Sequence, residues 1–269
     1  MKTKISTLLL FLIILSSNVF PQNNEALNSD LYLWLKSLPG IEVTPIKADN
    51  IFAEAYEIFI TQPIDHNNPN GPKFKEQLFL SHVDKDKPMV IELDGYAVNN
   101  RTDELSRLLQ CNQIMVEHRY FGESKPVPYD WKYLTIQQAA DDHHKIIELF
   151  KQFYKGKWIT TGISKGGSCA IFHRYFYPDD ADVSVPYVGP LNTSVEDKRV
   201  YEWIKTVSTP ECRDKVFNFQ KLCFEKRDEL YPIFMKNAED KKLTYNIVGA
   251  EKAYEYAVLE YSFAFWQWG

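Results

Sequence analysis

Residues 157–176 read KWITTGISKGGSCAIFHRYF, and the fold turns on how the join at Ser164 is read. Before it, Trp158, Ile159, Thr160, Thr161 and Ile163 are β-branched or aromatic, the types that fit a pleated, half-buried surface. After it, the chain takes on helical composition and runs to Pro178, where a helix interior cannot continue. The join itself, Gly162-Ile163-Ser164-Lys165-Gly166, fits G-x-S-x-G. The pattern alone is weak, because an ordinary strand-to-helix turn also uses glycines. Its context is what hydrolytic chemistry requires: a strand ahead, a helix behind, and a serine on the sharp turn between them.

A serine hydroxyl is a poor nucleophile, so its oxygen must be presented to a base and a substrate clear of its own backbone. A tight turn does this by holding Ser164 in a strained conformation, with Gly162 and Gly166 leaving room for it. The next amide, Lys165 N–H, opens a helix and points at the place where an oxyanion would form. A second oxyanion donor is expected from the loop DGYAVNN after the strand at 87–93. There the N–H of Tyr96 or of Gly95 is the candidate.

Working outward, EAYEIFITQP (54–63) and EQLFLSHV (76–83) read as an antiparallel pair joined by the turn-rich IDHNNPNGPKF. KPMVIELDG (87–95) and NQIMVEHRYFGES (112–124) carry continuous apolar runs, the mark of strands buried on both faces. DELSRLLQC lies between them as a short helix. TIQQAADDHHKIIELFKQFY (135–154) has helical period behind a Thr135 N-cap. ADVSVPYVGP (181–190) is one more short strand. Strand and helix in alternation predict a mostly parallel sheet covered on both faces, an α/β fold. From about residue 194 the pattern is helical throughout, and three helices are expected to form a cap. The predicted organisation is a signal segment at 1–20, an α/β core of six strands at 21–190 and a helical cap at 191–269.

The chain has 269 residues, 45% hydrophobic and 25% charged, which is globular composition. Lys plus Arg number 31 against 36 Asp plus Glu, a net charge of −5. No excess of cations exists to replace phosphate counterions, which argues against a nucleic-acid partner. MKTK followed by LLLFLIIL (8–15) is a basic segment and a short apolar core, too short to span a bilayer. It fits a secretory signal peptide, so a secreted or periplasmic location is expected, with no membrane span after its removal. Cys169 reads as a free core thiol. Cys212 and Cys223 would lie roughly 16 Å apart in one straight helix and pair only if a turn separates them. No Cys/His cluster has zinc spacing, so neither a metal nor a cofactor is expected.

FITQPIDHNNP, ELDGY, EHRYFGES, TTGISKGGSCAIFHRYFYPDD and YVGPLN occur in order and resemble the secreted tripeptidyl aminopeptidase family of serine peptidases. That family is related to the lysosomal Pro-X carboxypeptidases and dipeptidyl peptidases. The resemblance runs from about residue 52 onward. It implies an α/β-hydrolase fold, a helical cap, a Ser–Asp–His triad with Ser164 as nucleophile, and release of short units from peptide N-termini.

The base is harder to place. Of six histidines only His173 follows Ser164, and it sits roughly 13 Å along the same helix, beyond hydrogen-bond reach. His118 ends a buried strand roughly 10 Å across the sheet. Glu117-His118-Arg119 reads as polar support beneath the site. DDHH at 141–144 cannot share one ion, since consecutive helical residues diverge, and reads as a solvated, partly packed helix face. His66 reads as a turn residue and His82 as a strand residue. In the family the acid and histidine lie on later strands, after the cap. The resemblance thus implies that 1–269 stops before both, and these residues alone are expected to be nearly inactive. Glu92, Glu117 and Glu123 are candidates to hold a substrate amine. The expected partner is a peptide; an esterase- or lipase-type hydrolase and a non-catalytic binding module are the alternatives, since the motif does not name the bond cleaved.

Overall fold

The computed structural model describes residues 28–268, so the expected signal segment at 1–20 lies outside the described residues. The chain divides into two compact units, Met1–Leu191 and Asn192–Gly269.

In the first unit seven strands form one sheet: β1 Ile41–Ile46, β2 Glu54–Pro63, β3 Lys73–His82, β4 Met89–Leu93, β5 Asn112–Val116, β6 Trp158–Ile163 and β7 Val183–Tyr187. Their order is β1-β2-β3-β5-β4-β6-β7. β1, β2, β3 and β5 pair antiparallel in succession. β5, β4, β6 and β7 are mutually parallel. This is the α/β-hydrolase arrangement, with the Ser164 turn leaving a central parallel strand. Seven strands stand where six are expected, the additional one being β1. The opening antiparallel pair is therefore a triplet. β3 also starts at Lys73 rather than 76, because pairing with β2 continues to Pro63 opposite Lys73.

Four helices accompany the sheet: α1 Asp30–Ser37, α2 Glu104–Leu109, α3 Ile136–Phe150 and α4 Lys165–Phe176. Thr135 caps α3, its Oγ1 accepting from Gln138 N–H at 3.2 Å. One face of the sheet carries the main core. Met89, Ile91 and Leu93 of β4 meet Leu31 and Leu35 of α1, Ile146, Ile147 and Phe150 of α3, and Cys169 and Ala170 of α4. Val90 and Glu92, at the alternate positions, face the other way. There Arg101 pairs with Glu92, close to the α2 N-cap Asp103. All five residues of β4 and of β5 are buried, the polar Glu92, Asn112 and Gln113 included.

The second unit contains α5 Lys198–Thr206, α6 Pro210–Glu225, α7 Arg227–Asp240 and α8 Ala250–Trp268. Four helices stand where three were expected, because the run read as one helix breaks at Lys226, with φ −101° and ψ 27°. α6 is fastened to α8 by Gln220 Nε2, which donates to Val258 O at 2.8 Å and Leu259 O at 3.0 Å. Tyr254 Oη donates to Cys223 O at 2.7 Å. Cys212 and Cys223 both lie on α6 and are free thiols, as are Cys111 and Cys169. No described helix is long and apolar enough to cross a membrane.

Candidate active site

Ser164 is the residue between β6 and α4, and its backbone sits at φ 57°, ψ −119°. Those angles belong to the first central position of a type II′ turn, a place dominated by glycine. The conformation is fixed from both sides. Ser164 N–H donates to Tyr187 O at 3.0 Å, and Ser168 N–H donates back to Ser164 O at 3.0 Å. Ser164 is exposed, and among the described residues its hydroxyl has no hydrogen-bond partner. The strained turn expected from the sequence is therefore present and open to solvent.

The glycines explain how so tight a turn fits. A Cβ on Gly162 would stand 2.4 Å from the carbonyl carbon and oxygen of Gly166, and 2.8 Å from Leu93 O. Strand and helix backbones touch there, which only a bare Cα allows. Gly95 plays the same part on the neighbouring loop: a Cβ on it would stand 2.6 Å from Lys165 Cβ and 2.9 Å from Gly166 N. The turn after β4 thus lies directly against the first residues of α4. Among the described residues the N–H groups of Lys165, Gly95 and Tyr96 meet no acceptor. Tyr96 O accepts from His118 N–H at 3.1 Å, which ties this turn to the end of β5.

The Lys165 side chain lies over the same turn. Its Nζ is 4.9 Å from the Tyr96 ring centroid and 4.3 Å from that of Phe121. The two rings meet edge to face, 5.3 Å apart. Burial lowers the Lys165 pKa from its ordinary value. Nothing in EHRYFGES marks Phe121 as the aromatic that faces a cation forty-four residues later.

The triplet at 117–119 is structural. Glu117 accepts from the backbone N–H of Val98, Glu123 and Ser124 and from the Ser124 hydroxyl, which holds two loops together. His118 Nδ1 donates to Arg119 O at 2.8 Å; burial, then the Lys165 charge, lowers its pKa to about 4. It makes no hydrogen bond to Ser164. Arg119 is wholly buried against Asp142. Of the three carboxylates weighed for a substrate amine, Glu117 is thus consumed and Glu123 is exposed on its loop. Glu92 is buried, paired with Arg101 through Oε1 at 2.5 Å, with Oε2 left unpartnered. Burial raises its pKa to about 7.

The face read as solvated and partly packed, DDHH, is more packed than solvated. Asp142 and His143 are buried, while Asp141 and His144 are half-buried. His144 Nδ1 and His173 Nε2 both meet Asp180 Oδ2, at 2.7 and 3.0 Å, and His66 Nε2 meets Asp142 Oδ1 at 2.7 Å. His173 is thereby occupied at the far end of α4. Among the described residues no group of three or more His, Cys, Asp or Glu is placed to hold a metal ion.

The profile of the PS-10 peptidase S37 family matches residues 25–269. This chain belongs to that family. A prolyl tri/tetrapeptidyl aminopeptidase of Streptomyces mobaraensis is 34% identical over 243 residues, which cover 89% of this chain and 50% of that enzyme. The chain therefore spans half the length of this relative. Among solved structures, acetyl xylan esterase 1 from Thermoanaerobacterium sp. JW/SL YS485 aligns with a TM-score of 0.45 at 14% identity, over 69% of this chain and 65% of its own. The acetyl xylan esterase from Paenibacillus sp. R4 aligns with a TM-score of 0.44 at 15% identity, over 73% and 67%. The α/β-hydrolase topology of the sheet accords with membership of this family.

Proposed function

We propose that this chain carries the nucleophile and oxyanion half of an exported serine exopeptidase, one that releases tripeptide-sized units from free peptide N-termini. Ser164 Oγ attacks the scissile carbonyl carbon and forms an acyl-enzyme, and the amine leaves with a proton. Water then attacks the acyl carbon and frees the released unit, returning Ser164 to its hydroxyl form. The anionic oxygen of each tetrahedral intermediate is received by the N–H of Lys165 and by that of Tyr96, with Gly95 as the alternative. The observation that carries this reading is the glycine-like backbone of exposed Ser164, at φ 57°, between a buried strand and the N-terminus of α4. Such strain persists where the surroundings impose it and clusters at reactive residues. The Streptomyces mobaraensis relative, named for tri/tetrapeptidyl aminopeptidase activity, supports the choice of peptide substrate. The N-terminal apolar segment supports export.

Acylation also needs a general base, and among the described residues no imidazole hydrogen-bonds to Ser164. The test therefore uses the whole protein that carries this chain. A fluorescent fluorophosphonate should label it, and Ser164→Ala should abolish the label. A tripeptidyl amide with a free amine should be cleaved, and its N-acetylated form should resist. Equal cleavage of both forms overturns the exopeptidase reading. Turnover of a short-chain ester with neither peptide cleaved assigns the same serine to an esterase.

A further inference from the structure

The Lys165 ammonium is held in an unusual way. It makes no ion pair with a carboxylate among the described residues; its neighbours are the faces of Tyr96 and Phe121, at 4.9 and 4.3 Å. A cation between two aromatic faces is attracted by their quadrupoles, most strongly where water is excluded. The stem of the same side chain is pressed on Gly95, whose missing Cβ would lie 2.6 Å from Lys165 Cβ and 2.8 Å from Cγ. Phe121 is itself anchored edge-on to the buried His118 ring, 5.7 Å away, and His118 N–H holds Tyr96 O. Lys165 thus touches both residues of the turn that follows β4, while its own backbone begins α4. Tyr96 is 53% exposed, so little else fixes its ring.

We infer that the Lys165 side chain is a positioning residue that clamps the Gly95–Tyr96 turn against the N-terminus of α4 and so sets the spacing between the two amides that receive the oxyanion. This rests on the hydrolase reading of Ser164 and adds to it a role for the side chain at the second variable position of the motif. The spacing matters because preorganised donors work only at the position the oxyanion takes up, and displacement by about 1 Å can cost roughly a hundredfold in rate. Binding of the rest of the substrate does not pass through the clamp, so its loss falls on kcat and leaves KM nearly unchanged.

The test compares parent, Lys165→Met, Lys165→Arg and Phe121→Leu in the whole protein. Methionine keeps the stem without the charge, arginine keeps a cation that stacks on rings, and the leucine variant opens the cage from its other wall. Two measurements are made on each: hydrogen–deuterium exchange across 94–98, read at the hydrogen-bonded amides of Asp94 and Val98, and kcat and KM on the tripeptidyl amide. Lys165→Met and Phe121→Leu should speed exchange at 94–98 and lower kcat by about ten- to a hundredfold, with Lys165→Arg close to parent. Unchanged exchange in both variants overturns the clamp whatever the kinetics. Faster exchange with unchanged kcat overturns its role in the reaction. Turnover that survives Ser164→Ala removes the hydrolase reading instead, and exchange still decides whether the clamp exists.

Discussion

Arg119 closes on Asp142 through two hydrogen bonds, Nε to Oδ2 at 2.6 Å and Nη2 to Oδ1 at 2.9 Å, with both side chains fully buried. The guanidinium also donates to Tyr133 O at 2.8 Å, Ile64 O at 3.1 Å and Pro63 O at 3.3 Å. One buried cation therefore joins the end of β2, the loop after β5 and helix α3. Glu76 lies close by, and burial, then the Asp142 charge, raises its pKa well above the ordinary value. Breaking a buried pair by removing one partner strands the other charge, at a cost of about 3–5 kcal/mol. Asp142→Asn and Arg119→Met should each lower the unfolding free energy by about that amount in urea titrations. The double variant should lose at least about 1 kcal/mol less than the sum, since the two share one interaction. Strict additivity would show that the pair is not coupled.

The strain at Ser164 leads to a second expectation. A residue with a Cβ in this conformation carries roughly 1–3 kcal/mol of strain, of which glycine is relieved. Glycine gives back about 0.5–1 kcal/mol through the greater freedom of its unfolded chain. Ser164→Gly should therefore be more stable than Ser164→Ala by about 1 kcal/mol, although both lose the hydroxyl. Thermal unfolding of the two variants in one buffer measures the difference. An alanine variant equal to or more stable than the glycine variant would mean that the turn relaxes once the hydroxyl is gone.

The same junction shows what a sequence discloses and what it withholds. β6, the Ser164 turn and α4 were legible because every signal is local: β-branched residues, then glycines, then a helix ended by Pro178. The Thr135 cap and α3 were legible for the same reason. β1 was not, because it is a short edge strand holding Pro45 and only half-buried, so neither alternation nor propensity marks it. The break at Lys226 carries no glycine or proline; Pro232 lies inside the helix that follows. The contacts of Lys165 with Phe121 and of Arg119 with Asp142 are pairings between distant segments. Spacing along the chain says nothing of them until the sheet order brings β5, β4 and β6 together. The polar stretch DDHH misled because charged letters suggest solvent, whereas Asp142 is buried by the partner that neutralises it.

Close packing of the turn gives a third expectation. A methyl group on Gly162 meets backbone atoms at 2.4 Å, and backbone cannot rotate aside as a side chain can. Gly162→Ala should destabilise by about 1–3 kcal/mol and push α4 away from β6. Because that shift moves the Lys165 amide, fluorophosphonate labelling of Ser164 should slow as well. Gly249→Ala serves as the control: its φ of +80° costs some strain, but no atom lies within 4 Å of the added carbon. The control should lose stability without any change in labelling rate. Equal labelling in Gly162→Ala and parent would show that the turn tolerates a wider gap between strand and helix.

Glu92 provides a pH-dependent expectation whose sign is set by burial. Its carboxyl is raised from an ordinary 4.5 to about 7, with desolvation the largest cause and Arg101 opposing it. A carboxyl with a raised folded-state pKa binds its proton more tightly in the native state than in the unfolded chain. Its contribution is therefore fully present below about pH 4.5 and is lost as the pH climbs through 7. The full difference corresponds to roughly 3 kcal/mol, of which about 2 kcal/mol falls between pH 5 and 8. Other carboxylates titrate over part of this range, so the comparison is made against Glu92→Gln, which keeps a hydrogen-bond acceptor for the half-exposed Arg101 and does not titrate. The variant should gain on the parent by about 2 kcal/mol between pH 5 and pH 8, measured as urea unfolding free energies at each pH. A constant difference between the two proteins across that range would mean that Glu92 is ionised throughout and that Arg101 outweighs its burial.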